Sequence, residues 1–250
     1  MQQEGFKPIP VRAPSSSWVL YALRRSLDLQ FQTIVEFLRP AMGKLKGRVL
    51  DVGAGQSPWK EWLSPDAMYV GLDIENAGEF GMSQEREGIT YYDGRSIPFA
   101  DSSFDAVMCI EVLEHAEDPD ALVAEISRCL RHGGTLLLTV PWSARRHHIP
   151  HDYHRFTRER LERLLVSHEF GSVQIFERGT DIATIANKMV VLSIRLAPVR
   201  VALRSLLVLP LFLLVAPIAA GFLVCAHLSG WLGLGAKEDP LGYFVQAVRN

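Results

Sequence analysis

Residues 48–58 read Arg48-Val49-Leu50-Asp51-Val52-Gly53-Ala54-Gly55-Gln56-Ser57-Pro58, a short apolar strand that runs into a glycine-bearing turn with a carboxylate beside it. Glycine lets backbone approach a bound ligand closely, as dinucleotide-binding turns do, but the third glycine of a G-x-G-x-x-G fingerprint is absent and Pro58 stands in its place. Alone, a D-x-G-x-G pattern is as compatible with a tight connection as with a ligand site. Asp51 narrows the ligand. A carboxylate two residues before Gly53 sits badly beside a pyrophosphate and suits a molecule that presents an ammonium group and a sulfonium.

The spacing downstream favours the ligand site. Met68-Tyr69-Val70-Gly71-Leu72-Asp73 is a second apolar run ending in an acid about twenty residues on, where a doubly wound fold places the carboxylate that binds ribose hydroxyls. Ile89-Thr90-Tyr91-Tyr92-Asp93 is a third. Ala106-Val107-Met108-Cys109-Ile110 is a fourth, followed by Glu111-Val112-Leu113-Glu114-His115. In an open α/β sheet, ligands bind outside the carboxyl ends of the strands, so Asp51, Gly53, Ala54, Gly55, Asp73, Asp93, Gly94 and Glu111 are expected to converge on one crevice. S-adenosylmethionine, with its ammonium, sulfonium and ribose, is the ligand this set fits.

In this combination the chain resembles the class I S-adenosylmethionine-dependent methyltransferases, and within them the methyltransferase type 11 group, over residues 46–178 with a short return at 243–248. The resemblance rests on Leu50-Asp51-Val52-Gly53-Ala54-Gly55, Gly71-Leu72-Asp73, Ile97-Pro98-Phe99 with Ser103-Phe104-Asp105, Leu113-Glu114-His115, and Leu130-Arg131-His132-Gly133-Gly134 before a strand ending at Pro141. Two places depart from the pattern: Ser57-Pro58, and residues 76–88, too rich in Gly and Glu for a helix after the second strand. The resemblance implies a Rossmann-like, mostly parallel sheet with helices on both faces and S-adenosylmethionine as cofactor. It places Gly53 to Gly55 against the methionine and ribose, Asp73 on both ribose hydroxyls, and Asp93 on the adenine amino group with Gly94 giving room. Asp105, in a Ser-Ser-Phe-Asp turn, is assigned to structure.

The chain has 250 residues, 48% of them hydrophobic, and a formal net charge of -2. That is enough to bury one α/β core. There is no basic stripe with interleaved aromatics, so a nucleic-acid partner is not expected. Cys109, Cys129 and Cys225 lack C-x-x-C spacing and have apolar neighbours, which predicts buried thiols in a reducing compartment. The first residues lack the charged-then-apolar design of a signal peptide, so cytosolic synthesis is expected.

Ser17 is positioned to cap a helix over residues 18–38 that Pro40 ends, lying over the pocket or packed on the sheet. Asp118-Pro119 starts a helix running to about Leu130, ended by Gly133-Gly134, and Thr157 begins another that stops near His168. The alternation of strands and helices from Arg48 to Arg178 is that of a parallel sheet.

Methyl transfer from a sulfonium is an in-line displacement, so positioning supplies most of the rate and a base is needed only when the acceptor must lose a proton. Candidate catalytic residues are His115, after the fourth strand, and His151, Asp152 and His154 in the run Arg145-Arg146-His147-His148-Ile149-Pro150-His151-Asp152-Tyr153-His154-Arg155-Phe156-Thr157. Three readings fit that run. A His held in one tautomer by Asp152 can be a base; His and Asp can ligate a metal; or the loop is solvated, with Asp152 and Arg155 ion-paired. The first is preferred, without a metal. Arg145, Arg146 and Arg155 would suit an anionic acceptor.

Residues 206–236 form an uncharged run broken by Pro210 and Pro217, longer than the roughly 20 apolar residues needed to cross a bilayer. Residues 182–203 supply a basic amphipathic lead-in with Lys188, Arg195 and Arg200, continued by Arg204. Because this insertion separates two strands of one sheet, it must enter and leave on the same side of a membrane. A shallow hairpin bent near Pro210 or Pro217, or helices in the interface, is expected. The organisation is therefore an N-terminal lead and capping helix (residues 1–45), a cofactor-binding core (46–180), a membrane-associated insertion (181–240) and the last strand (241–250). The expected function is methylation, at oxygen, of a small or lipid-linked acceptor on the cytoplasmic side of a membrane. The alternatives are a non-catalytic scaffold of the same fold, which intact Asp51, Gly53, Gly55 and Asp73 disfavour, and a dinucleotide oxidoreductase, which the absent third glycine and Asp51 disfavour.

Overall fold

The computed structural model describes residues 11, 13–75, 88–198 and 203–250, so the expectation of no helix over residues 76–88 and the place of Arg200 lie largely outside the described residues. Seven strands form one sheet in the order β3-β2-β1-β4-β5-β7-β6. β1 (Gly47–Val52), β2 (Ala67–Ile74), β3 (Ile89–Tyr92), β4 (Phe104–Ile110) and β5 (Leu130–Pro141) are parallel, while β7 (Gly242–Arg249) runs antiparallel between β5 and β6 (Phe170–Arg178). The order reverses between β1 and β4, which opens a crevice at their carboxyl ends.

The two central strands are near-continuous apolar runs because both their faces are covered. On one face Leu50, Val52, Val107 and Cys109 pack with Leu122, Val123 and Ile126 of α3 (Pro119–Cys129) and Leu161, Leu164 and Leu165 of α4 (Arg158–Ser167). On the other, Val49, Ala106, Met108 and Ile110 meet Trp59 and an N-terminal helix carrying Phe31, Ile34, Val35, Leu38 and Met42. Alternate residues of each strand thus serve opposite layers.

That N-terminal segment is two helices, α1 (Trp18–Leu27) and α2 (Leu29–Met42), and not the single one expected. Asp28 breaks it: its N–H ends α1 on the Arg24 carbonyl at 2.8 Å, and its carboxylate caps α2 by accepting the Phe31 N–H at 3.1 Å. α2 packs on the sheet, whereas α1 buries no residue. Pro40 sits inside the last turn of α2, on an exposed side shared with Glu36, where the lost backbone bond is cheap. Gly133 and Gly134 do not end α3 either. They lie within β5, and a Cβ at Gly134 would stand 2.8 Å from the Arg131 carbonyl oxygen. The caps at Asp118 and Thr157 are as expected.

α5 (Asp181–Leu196) and α6 (Leu203–Leu232) pack along one another between β6 and β7. α6 is one helix of 30 residues that runs through both Pro210 and Pro217, about 45 Å at ordinary rise. The expected hairpin at a proline is therefore not formed, because α6 continues through both and it is α5 that packs alongside it. The base of this helical hairpin is pinned to the sheet: Asp181 N–H bonds the Ala236 carbonyl at 3.0 Å, Thr184 Oγ1 the Asp239 carbonyl at 2.9 Å, and Leu241 N–H the Arg178 carbonyl at 2.9 Å. Cys109 and Cys129 are buried as expected; Cys225, on α6, is exposed, on a side that none of the described elements covers.

Candidate active site

At the switch point β1 delivers the chain into its glycine turn. Gly53 and Gly55 have φ of +71° and +51°, and a Cβ on Gly53 would lie 2.3 Å from Val112, so both the conformation and the space require glycine there. Gly53 and Ala54 both donate to the Leu72 carbonyl at 2.9 Å, locking the turn to β2. Asp73, at the end of β2, accepts the N–H groups of Gly55 at 2.9 Å and Ile74 at 2.8 Å; burial nonetheless pushes its pKa up. Asp51 lies beneath the turn, 1% exposed, with the Tyr69 hydroxyl 2.8 Å from its carboxylate. Burial first, and the nearby Asp73 charge to a lesser degree, push Asp51 up to about 7.

Asp93 follows β3 and closes a turn of its own, accepting from the N–H groups of Arg95 at 2.8 Å and Ser96 at 3.1 Å, which hold it below the usual carboxylate range. Gly94, at φ +77°, completes that turn. Glu111 leaves β4 with φ of +56°, its N–H on the Thr139 carbonyl at 3.0 Å and its carboxylate on Arg178 at 2.7 Å. Arg178, a residue the sequence marks only as the end of β6, is wholly buried and also donates to the carbonyls of Tyr243 at 3.2 Å and Val140 at 3.2 Å. Burial lowers its pKa, opposed by the Glu111 charge. No local pattern announces this pair, because its members are 67 residues apart.

The loop after β5 folds back on the turn after β4. His115 Nδ1 is 2.6 Å from the His151 carbonyl, and its ring packs edge-on against His147 and His148, with centroids 4.8 and 5.2 Å away. Burial takes the His115 pKa down to about 4. Asp152 is buried and gripped by Arg155 at 2.6 and 2.9 Å, with the His147 N–H at 3.0 Å. Burial works against its ionisation, but the Arg155 hydrogen bonds outweigh it and leave the carboxyl below its ordinary range. An imidazole does stand beside Asp152: that of His147, with Nδ1 at 3.5 Å. His151 approaches the Tyr153 hydroxyl at 3.2 Å, while His154 packs on Phe156 and has a buried Nε2 without a hydrogen-bond partner among the described residues. The ion pair of Asp152 with Arg155 is the one expected in the third reading of the loop. Asp105 lies at the opposite end of the strands, accepting the Arg48 N–H at 2.6 Å and pairing with Arg131 at 2.9 Å.

Residues 50–138, from β1 to β5, match the family described as "Methyltransferase domain", type 11. The chain is 31% identical over 109 residues to the uncharacterized methyltransferase YcgJ of Bacillus subtilis, covering 40% of this chain and 43% of that protein. It is 34% identical over 125 residues to a sterol 24-C-methyltransferase of Gibberella zeae, covering 46% of this chain and 33% of that one. In both cases the chain spans less than half the relative's length. The crystal structure of a SAM-dependent methyltransferase, possible histamine N-methyltransferase, from Thermotoga maritima superposes with a TM-score of 0.52 over 95% of this chain and 97% of the other at 12% identity, a shared fold. The fold is thus one shared with that methyltransferase structure, and residues 50–138, which carry the glycine turn and the strand-end acids, are similar to the methyltransferase domain family.

Proposed function

We propose that the protein transfers the methyl group of S-adenosylmethionine to a small or lipid-linked acceptor, at oxygen, with α5 and α6 forming a monotopic attachment on the cytoplasmic side of a membrane. The site suits the cofactor: Gly53 and Gly55 hold the turn in its positive-φ conformation, Asp73 is aimed by two N–H groups with lone pairs to spare for ribose hydroxyls, and buried Asp51 gains from a cationic neighbour. In this reading Asp93 and Gly94 take the adenine side, and Glu111, paired with Arg178, faces the cofactor from the end of β4. When bound, the cofactor supplies an electrophilic methyl group. The chain positions the acceptor in line and takes up its proton, for which His151 and His154 are the candidate bases, with His115 and Asp152 fixing the loop that carries them.

The membrane half rests first on α6. Residues 207–232 are long and apolar enough to cross a membrane, yet only 11% of an 18-residue apolar window within them is buried against the rest of the chain. A buried helical pair in a soluble protein would be covered. α1 adds exposed Trp18, Leu20, Leu23 and Leu27 beside Arg24 and Arg25, the composition of an interfacial helix. A lipid acceptor accords with the sterol methyltransferase relative. The test is transfer of labelled methyl from S-adenosylmethionine to a membrane lipid extract, by wild type and by a variant with Leu211, Leu214 and Ile218 changed to Gln. Wild type should float with vesicles and label the lipid; the variant should stay in the aqueous phase and still bind the cofactor. Wild type that does not float overturns the membrane attachment, and wild type that binds no S-adenosylmethionine overturns the enzyme reading.

A further inference from the structure

We propose that His115, His147 and His148, completed by Glu114, form a binding site for a divalent cation of the zinc type that clamps the loop after β5 to the turn after β4. One ligand nitrogen from each of the three histidines lies within 4.8 Å of the other two. A tetrahedral zinc shell sets its nitrogens about 3.4 Å apart, a contraction within reach of small rotations about the side-chain torsions. The sequence offered the histidines of residues 145–157 as ligands only among themselves; the fold joins two of them to a third from a turn more than thirty residues earlier.

Two further observations point to a cation. His115 has its Nδ1 on the His151 carbonyl at 2.6 Å and His147 its Nδ1 on the Arg145 carbonyl at 3.1 Å. Each ring is thereby set in the tautomer that donates Nδ1–H to backbone and presents a lone pair at Nε2, the second-layer arrangement of metal-ligating histidines. Glu114 is the other observation. Its side chain is 0% exposed, and neither carboxylate oxygen has a hydrogen-bond partner among the described residues. A buried carboxylate without donors is an expensive arrangement in any fold. Its Oε1 is 3.6 Å from His115 Nε2 and 4.0 Å from His147 Nε2, so a cation among the rings would also neutralise the acid. Three imidazoles and a carboxylate favour zinc, cobalt or nickel over magnesium or calcium, and four protein ligands make the site closed and structural. The loop it holds carries His151 and His154, but the inference stands on these residues alone and does not depend on the methyl-transfer reading.

The experiment is titration of the chelator-stripped full chain with zinc chloride and, for its visible spectrum, cobalt chloride. One equivalent of zinc should remain after gel filtration, cobalt should give the intense visible bands of four-coordinate geometry, and zinc should raise the thermal midpoint. His147→Ala with His148→Ala should abolish all three. Glu114→Gln, nearly isosteric, should weaken zinc affinity about tenfold or more, and it covers the case in which the double variant fails to fold. Stripped wild type that binds S-adenosylmethionine but retains no zinc, or equal zinc retention by wild type and both variants, overturns the site.

Discussion

The most consequential single residues are acids whose surroundings set their charge. Asp73→Ala should weaken S-adenosylmethionine binding by about 1.5–3 kcal/mol, the scale of hydrogen bonds to a charged group, whereas Asp105→Ala should lower stability and leave affinity unchanged, because Asp105 braces the far end of β1. Calorimetry with both variants checks this, and equal losses would refute the assignment. Asp51 carries a pH signature. Its folded pKa of about 7 stands above the ordinary 3.8, so between those values the native chain holds the extra proton and stability falls as pH rises. Denaturation midpoints of the cofactor-free protein from pH 4 to 7.5 should therefore show Asp51→Asn gaining on wild type as pH increases; a constant difference would mean Asp51 is ionised throughout. Arg178→Met leaves Glu111 facing a buried apolar side chain and should cost about 3 kcal/mol, the lower end for a broken buried pair because Glu111 keeps some access to water. Urea unfolding measures it, and adding Glu111→Gln should recover part of the loss. None of these environments can be read locally: Asp51 and Asp73 were legible as strand-end acids, but the raised pKa of one and the backbone clamp on the other follow from packing.

At the scale of elements, caps were legible and interruptions were not. Asp118 and Thr157 cap as their sequences announce, since an N-cap needs only residues three positions apart. Asp28 was read as mid-helix because the apolar spacing runs on across it; its extended backbone is chosen by where α2 packs on the sheet, leaving α1 outside. Asp28→Ala should cost about 1 kcal/mol as a lost cap. The prolines of α6 misled in the opposite direction. A proline inside a helix costs about 3 kcal/mol, yet Val215, Ala219, Ala226 and Ser229 form one buried stripe on a helix packed against α5, and tertiary burial overrides the local penalty. Cys225 reports on the uncovered side of that helix. It should react quickly with a water-soluble thiol reagent in detergent-free solution and be protected by vesicles, while Cys109 and Cys129 stay unreactive until unfolding. No protection by vesicles would place α6 away from lipid.

For the whole molecule, the hairpin leaves the sheet at Asp181 and returns at Ala236, with the two points hydrogen-bonded to each other. The proposed attachment through it would be one-sided, so Lys237 and the residues after β7 should be cleaved or labelled from the same face of a sealed vesicle; opposite faces would break the sheet. The sequence by itself determined the sheet: apolar runs ending in acids, punctuated by glycine turns, dictate central parallel strands and put Asp51, Gly53, Gly55, Asp73 and Glu111 at their carboxyl ends. It also determined that residues 206–236 carry no charge. Both are consequences of local periodicity and composition, which the chain carries wherever it folds. Only the tertiary structure decided that His147 lies beside Asp152, that Arg155 pairs with that acid, that Arg178 reaches Glu111, that His115, His147 and His148 converge near Glu114, and that α6 stays unbroken and mostly exposed. Those outcomes depend on contacts between residues far apart in the chain, whose energies come from burial and charge pairing that exist only once the sheet has brought the loops together.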